Sequence, residues 1–149
     1  MVEIRAAGPA DIDQLRAVFR RSSLHNDGDR ANLLAHPEVL EFDPTCVHEH
    51  RTRVAVEPTE RVVGFATTAR HGEALELDDL FVDPDFMRRG IGIDLIRDVE
   101  AVARSQGVRR VEVTGNDHAL DFYQRAGFVI DGTIETRFGS ATRMHLDTT

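Results

Sequence analysis

Between Asp83 and Ile93 the chain reads Asp-Pro-Asp-Phe-Met-Arg-Arg-Gly-Ile-Gly-Ile, with two glycines at the mouth of a long amphipathic run. Glycine lets a backbone approach a ligand closely and turn successive N–H groups toward it. The first N–H groups of a helix lack intrahelical partners, and the helix dipole favours an anion beside them. The segment can therefore cradle a pyrophosphate with backbone alone. It can equally serve as a tight turn with close helix–strand packing, because a lone Gly-x-Gly does not separate the two. Two other phosphate devices fit poorly. A P-loop needs Gly-Lys-Ser/Thr, and Gly92 is followed by Ile93 and Asp94. A dinucleotide fingerprint needs a third small residue where Leu95 stands, and its glycines directly follow the strand, whereas Asp83 to Arg89 intervene here. Glu112, placed about where that fingerprint keeps its ribose-binding acid, is its one point of agreement.

Carboxylates gather just before the glycines. Glu76 and Asp78 are two apart on a strand pattern and so share a face, with Asp79 beside them. Unpaired charge on a central strand is costly to bury, which marks this run as a candidate site. Glu73, Glu76, Asp78, Asp79, Asp83 and Asp85 have no basic residue among them. Around a pocket they would draw a cationic amine; alternatively, Asp83 and Asp85 simply flank the turn at Pro84. Tyr123, the only tyrosine, falls in a helical pattern beside Phe122 and Phe128, where a core aromatic is the default. Asn116 suits a helix cap. Cys46 reads as an ordinary structural thiol. His48 and His50 could share a strand face, but no third ligand stands at a recognisable spacing, so no metal site is expected.

The elements that must position these residues follow from the rest of the chain. The 149 residues carry 18 Lys+Arg against 26 Asp+Glu, a formal charge of −8, with 41% hydrophobic and 30% charged residues. This is the composition of one globular domain, residues 1–149. The negative balance argues against a nucleic-acid partner, which needs a basic face. A single Cys excludes an intrachain disulfide. No apolar stretch approaches a membrane span and the start lacks the apolar core of a signal peptide, so a cytoplasmic protein is expected. Val2, Ile4 and Ala6 alternate as a strand, and Asp11–Leu24 and 27–36 read as helices, with 37–50 a loop holding a possible extra turn. Thr52–Glu57, Val62–Ala69 and Ala74–Val82 form an antiparallel meander. A helix over Gly90–Gln106, stopped by Gly107, crosses to a strand at Val108–Thr114, parallel to Ala74–Val82. A helix capped by Asn116 or Asp117 and running to Ala126, and a hairpin of Phe128–Phe138 and Ala141–Leu146, turning at Gly139-Ser140, close the chain. The order βααβββαβαββ is an α+β mixed sheet with one central βαβ unit.

The segment Leu75–Gly92, then Asn116, then Ala119–Phe128 (ALDFYQRAGF) resembles the GCN5-related N-acetyltransferase (GNAT) superfamily, and the likeness extends along the whole element order. That resemblance implies an acetyl-CoA donor with its pyrophosphate on the loop's N–H groups, here Met87, Arg88, Arg89, Gly90, Ile91, Gly92 and Ile93. The family's pattern begins with Gln or Arg where this chain has Met87, a departure the backbone cradle tolerates. Arg88, Arg89 and Arg125 are either solvated or phosphate contacts. The resemblance further implies that Leu80 offers a backbone N–H to the thioester carbonyl and that Val82 aligns the pantetheine. Asn116 would contact cofactor or substrate, and Tyr123 would hydrogen-bond the CoA sulfur and protonate the departing thiolate. Glu76 matches a strand glutamate that some members use as base, with Asp78, Asp79 and solvent as fallbacks. The implied activity is direct acetyl transfer to an amine; the competing function is a non-catalytic acyl-CoA-binding or sensing domain. Residues 20–50 and 134–146, which would select the acceptor, carry no readable motif, and edge strands of the last hairpin could pair two copies.

Overall fold

The computed structural model describes residues 2–25, 27–137 and 139–148. Strand β1 (Glu3–Ala6) pairs antiparallel with β2 (Thr52–Val56), and β2 with β3 (Val62–His71). Gly72, at φ +61°, turns the chain into β4 (Ala74–Val82). Helix α4 (Ile91–Ser105) crosses to β5 (Arg110–Gly115), which runs parallel to β4 over Ala74–Leu77 against Arg110–Val113. Strand β7 (Gly139–Asp147) lies antiparallel between β5 and β6 (Val129–Thr136), giving the sheet order β1-β2-β3-β4-β5-β7-β6. The expected α+β mixed sheet with its central βαβ unit is present. Among the described residues, no helix is long and apolar enough to cross a membrane.

The chain forms two compact units, Met1–Thr67 with Asp79–Leu95 and Thr68–Asp78 with Ile96–Thr149. In the first, helix α1 (Ile12–His25) buries Leu15 and Val18 against Phe42, Val47, Val54, Val56 and Phe65. Phe19, Phe42, Phe65 and Phe81 meet with ring centroids 5.0–6.1 Å apart, mostly edge to face. The approach to α1 is fixed by Asp11, whose carboxylate accepts the Gly8 N–H at 2.8 Å and two Arg5 guanidinium bonds at 2.8 and 3.0 Å. Gly64 on β3 has a packing reason: a Cβ there would stand 3.0 Å from the Phe81 carbonyl oxygen and 3.3 Å from both Ile91 and Leu95. Its bare Cα lets the first turn of α4 lie against the strand.

In the second unit, Ile96, Val99 and Ala103 of α4 are buried, as are Val111 and Val113 of β5 and Met144 of β7. Gly107 (φ +70°) ends α4, with the Val108 N–H donating to the Ala103 carbonyl at 2.8 Å. Gly127 (φ +107°) ends α5 (Leu120–Arg125) the same way, with Phe128 N–H donating to the Tyr123 carbonyl at 3.0 Å.

Several expectations are corrected. Helix α2 covers Asp27–Ala35 as expected, but residues 37–50 hold two short turns where one is expected, a 3-10 turn at Pro37–Leu40 and a short helix α3 (Thr45–His48). His48 ends α3 and His50 adopts φ +60°, so the pair has no strand spacing to share a face. Helix α5 starts at Leu120 with Ala119 as its cap, not Asn116 or Asp117, because the Asn116 side chain closes its own turn on the Ala119 N–H. The last hairpin turns before Gly139, since Thr136 pairs with Gly139 across the loop and Ser140 already lies in β7. Phe138, placed by sequence at the end of the sixth strand, lies outside the described residues.

Candidate active site

Strand β4, the loop after it and the first turn of α4 carry one group of site residues, all in the first unit from Asp79 onward. The apolar end of β4, Leu80, Phe81 and Val82, is only half-buried, and it continues past Leu77, where the paired register with β5 ends. A 3-10 turn at Pro84–Phe86 leads to exposed Met87. Arg88 then adopts φ +63° and Gly90 φ +81°. A non-glycine residue in the left-handed region is unusual and points to a constrained loop. The Gly90 carbonyl accepts the Asp94 N–H at 3.0 Å, so the N–H groups of Ile91, Gly92 and Ile93 precede the first intrahelical bond of α4. A Cβ at Gly90 would meet nothing within 4 Å. The turn is open, and its N–H groups stand at the N-terminus of a 15-residue helix, an end whose chemistry suits a pyrophosphate.

The loop is braced from behind. Asp83 is buried, and its carboxylate accepts from Arg21 at 2.6 Å, from Arg61 at 3.4 Å and from the Asp85 N–H at 3.0 Å. Arg21 also donates to Asp85 at 2.9 Å, and this bond, with the charge of Asp83, raises the Arg21 guanidinium pKa above its usual value. The guanidinium carbons of Arg61 and Arg89 lie 4.9 and 4.8 Å from the Phe86 ring centroid. Arg89 is thus exposed but lies over an aromatic face.

The second unit holds the other group. Glu76 on β4 stands in register with Glu112 on β5. Two carboxylates side by side repel, and Arg143 of β7 relieves them. Its Nη1 donates to both Glu76 oxygens at 2.7 and 3.0 Å and to the Thr114 hydroxyl at 2.8 Å, and its Nη2 lies 3.7 Å from Glu112. Asn116 Oδ1 accepts the Ala119 N–H at 3.0 Å. Tyr123 is buried, its ring 5.3 Å from those of Phe122 and Phe128, and it packs on Gly115, where a Cβ would stand 3.3 Å from the ring. The lone thiol of Cys46 is buried, donating to the Asp43 carbonyl at 3.4 Å.

Leu80, Val82 and Met87–Ile93 therefore fall on one continuous strand–loop–helix, while Glu76, Asn116 and Tyr123 fall on β4 and the segment after β5. The six acids are less available than their number suggests. Glu76, Asp83 and Asp85 are engaged by Arg143, Arg21 and Arg61. Those arginines were missed because each lies 22 to 67 residues from its partner, with no local signal.

A seven-stranded mixed sheet, with a parallel β4–α4–β5 crossover among the described residues, defines the class as an α+β domain. The chain belongs to the acetyltransferase (GNAT) family, whose model matches residues 13–128. It is 34% identical over 79 residues to glucosamine 6-phosphate N-acetyltransferase of Trypanosoma brucei brucei, a match covering 48% of this chain and 54% of that protein. The chain thus spans about half the length of that relative. It is 29% identical over 136 residues to peptidyl-lysine N-acetyltransferase YjaB of Salmonella typhimurium, covering 91% of this chain and 88% of the other. Its fold superimposes with a TM-score of 0.82, at 18% identity and 99% coverage of both chains, on a PaiA N-acetyltransferase of Thermoplasma acidophilum solved with coenzyme A.

Proposed function

We propose that this protein is an acetyl-CoA-dependent N-acetyltransferase that moves the acetyl group directly to a primary amine arriving as a cation. The observation that carries this reading is the left-handed Arg88–Gly90 turn opening onto the free N–H groups of α4, in a chain of this family. The names of the trypanosomal and Salmonella relatives describe N-acetylation of a sugar phosphate and of peptidyl lysine, which supports an amine acceptor of either kind.

Acetyl-CoA supplies an activated acyl thioester. The backbone from Met87 to Ile93 binds the diphosphate, and Arg88 and Arg89 stand at its margin. Val82, half-buried at the end of β4, aligns the pantetheine chain, and Asn116 orients cofactor or acceptor. The Leu80 N–H, on the part of β4 beyond its register with β5, steadies the negative charge developing on the carbonyl oxygen. An oxyanion donor of this kind is worth about 2.7–4 kcal/mol. Glu76, directly or through water, takes the amine proton, which a lysine-like amine holds to about pH 10.4. Tyr123 Oη gives its proton to the departing sulfur as the C–N bond forms and the C–S bond breaks. The exposed, apolar Val129, Ile130 and Ile134 of edge strand β6 support pairing of two copies there. The working compartment is the cytoplasm.

One observation favours the second reading, a non-catalytic acyl-CoA sensor: Arg143 already grips the carboxylate assigned as base. Two measurements separate the readings. Acetyl-CoA at a hundred times its Kd should stabilise the protein by about 2.7 kcal/mol and raise its Tm. Thiol release with a panel of sugar amines, peptide amines and polyamines should then single out the acceptor. No rise in Tm removes both readings; a rise without thiol release leaves the sensor.

A further inference from the structure

Asp83 is 2% exposed. A buried carboxylate is costly unless it is paired and hydrogen-bonded, and here every polar group of the residue is engaged. Oδ2 accepts from Arg21 Nη1 and Arg61 Nη2, and Oδ1 from the Asp85 N–H. The Asp83 N–H donates to the Val63 carbonyl at 2.8 Å, and its carbonyl accepts the Phe86 N–H at 2.8 Å. The Arg21 fork spans two carboxylates, Asp83 through one nitrogen and Asp85 through the other. From Phe86 the contacts continue to Arg89, stacked on its ring one residue before left-handed Gly90. A plain turn at Pro84 needs neither a buried charge nor two arginines drawn from α1 and the turn before β3. The connected path from α1 to the cradle is what those groups build.

We propose that Asp83 and Arg21 are positioning residues for the cofactor cradle. They hold Arg88–Ile93 in the conformation that presents its N–H groups, and they tie that conformation to α1. The inference rests on the acetyl-CoA reading given above and adds two residues that touch neither cofactor nor reacting atoms. Because the brace acts on a preformed loop, losing it weakens binding and leaves the chemistry of the bound complex in place.

The test is calorimetric titration of CoA into the full chain, wild type against Arg21→Gln, Arg21→Lys and Asp83→Asn, with hydrogen exchange of the Arg88–Ile93 amides in the ligand-free proteins. Arg21→Gln should bind CoA about tenfold more weakly. Its turnover at saturating acetyl-CoA should stay within about twofold of wild type, the split expected when uniform binding is lost. Arg21→Lys should fall between the two, because an ammonium meets one carboxylate where the fork meets both. The loop amides should exchange faster in Arg21→Gln. If Asp83→Asn does not fold, the solvent-side Arg21 variants, whose side chain is 43% exposed, still decide the matter. A variant with a lower Tm but wild-type CoA affinity and wild-type loop exchange overturns the proposal. If the wild type itself binds no CoA, the cofactor reading fails. The exchange comparison then still decides whether Arg21 holds the loop, faster exchange supporting it and unchanged exchange ending it.

Discussion

Tyr123 is held by three neighbours, Phe122, Phe128 and Gly115, so its ring is fixed before any ligand arrives. Tyr123→Phe keeps that packing and removes only the hydroxyl. Turnover should fall about 10²-fold, the scale of lost general acid catalysis, and far more than CoA affinity read by calorimetry; undiminished turnover returns the residue to a purely packing role. Glu76 is set differently, between Glu112 and the guanidinium of Arg143. Glu76→Gln should move the pH–rate profile toward higher pH, because the amine must then lose its proton to solvent. A profile that does not move passes the base role to Asp78, Asp79 or water. The glycine turn before α4 and the packing of Tyr123 beside Phe122 and Phe128 were legible because each is set by residues close by in the chain. Arg143 was not, because nothing near Glu76 in sequence announces a partner on the last strand.

At the scale of elements, the close approach of α4 to β3 depends on one missing side chain. Gly64→Val would press a branched group against the Phe81 carbonyl and against Ile91 and Leu95, and should cost about 1–3 kcal/mol of stability by denaturant unfolding. The start of α1 has a charge-dependent anchor. The carboxyl of Asp11 is held below its ordinary pKa, chiefly by its hydrogen bonds from Arg5 and also by the Gly8 N–H, against the opposing effect of burial. A carboxyl lowered in the folded state adds stability above its unfolded pKa and loses it as pH falls through the folded one. Asp11→Asn should therefore be less stable than wild type at neutral pH, and the difference should shrink as the pH drops below about 4. Urea midpoints across that range check it, and a gap that stays constant rules out the ion pair as its source. Periodicity placed the regular elements well, since buried stripes such as Leu95, Ile96, Val99 and Ala103 repeat along the chain. It misplaced the start of α5 and the last turn, where one side chain or one strand pairing sets the boundary.

Across the whole molecule, the edge strand β6 exposes Val129 at 58%, Ile130 at 45% and Ile134 at 41%, apolar surface that an unpaired edge does not ordinarily keep. If two copies meet there, Val129→Lys with Ile134→Lys should sediment as a monomer under conditions where wild type is a dimer; a wild type that stays monomeric on concentration removes the pairing. The formal charge of −8 is no obstacle to a polyanionic ligand, because helix-end N–H groups need no lysines. Hydrophobic period, glycine position and a residue order matching the family are local properties, and they determined the α+β class, the βαβ core and the glycine turn that opens α4. The partners of the charges were decided only in three dimensions. Asp83 meets Arg21 across 62 residues and Glu76 meets Arg143 across 67, because burying a carboxylate requires a cation from whichever element the fold brings beside it, at no fixed spacing along the chain.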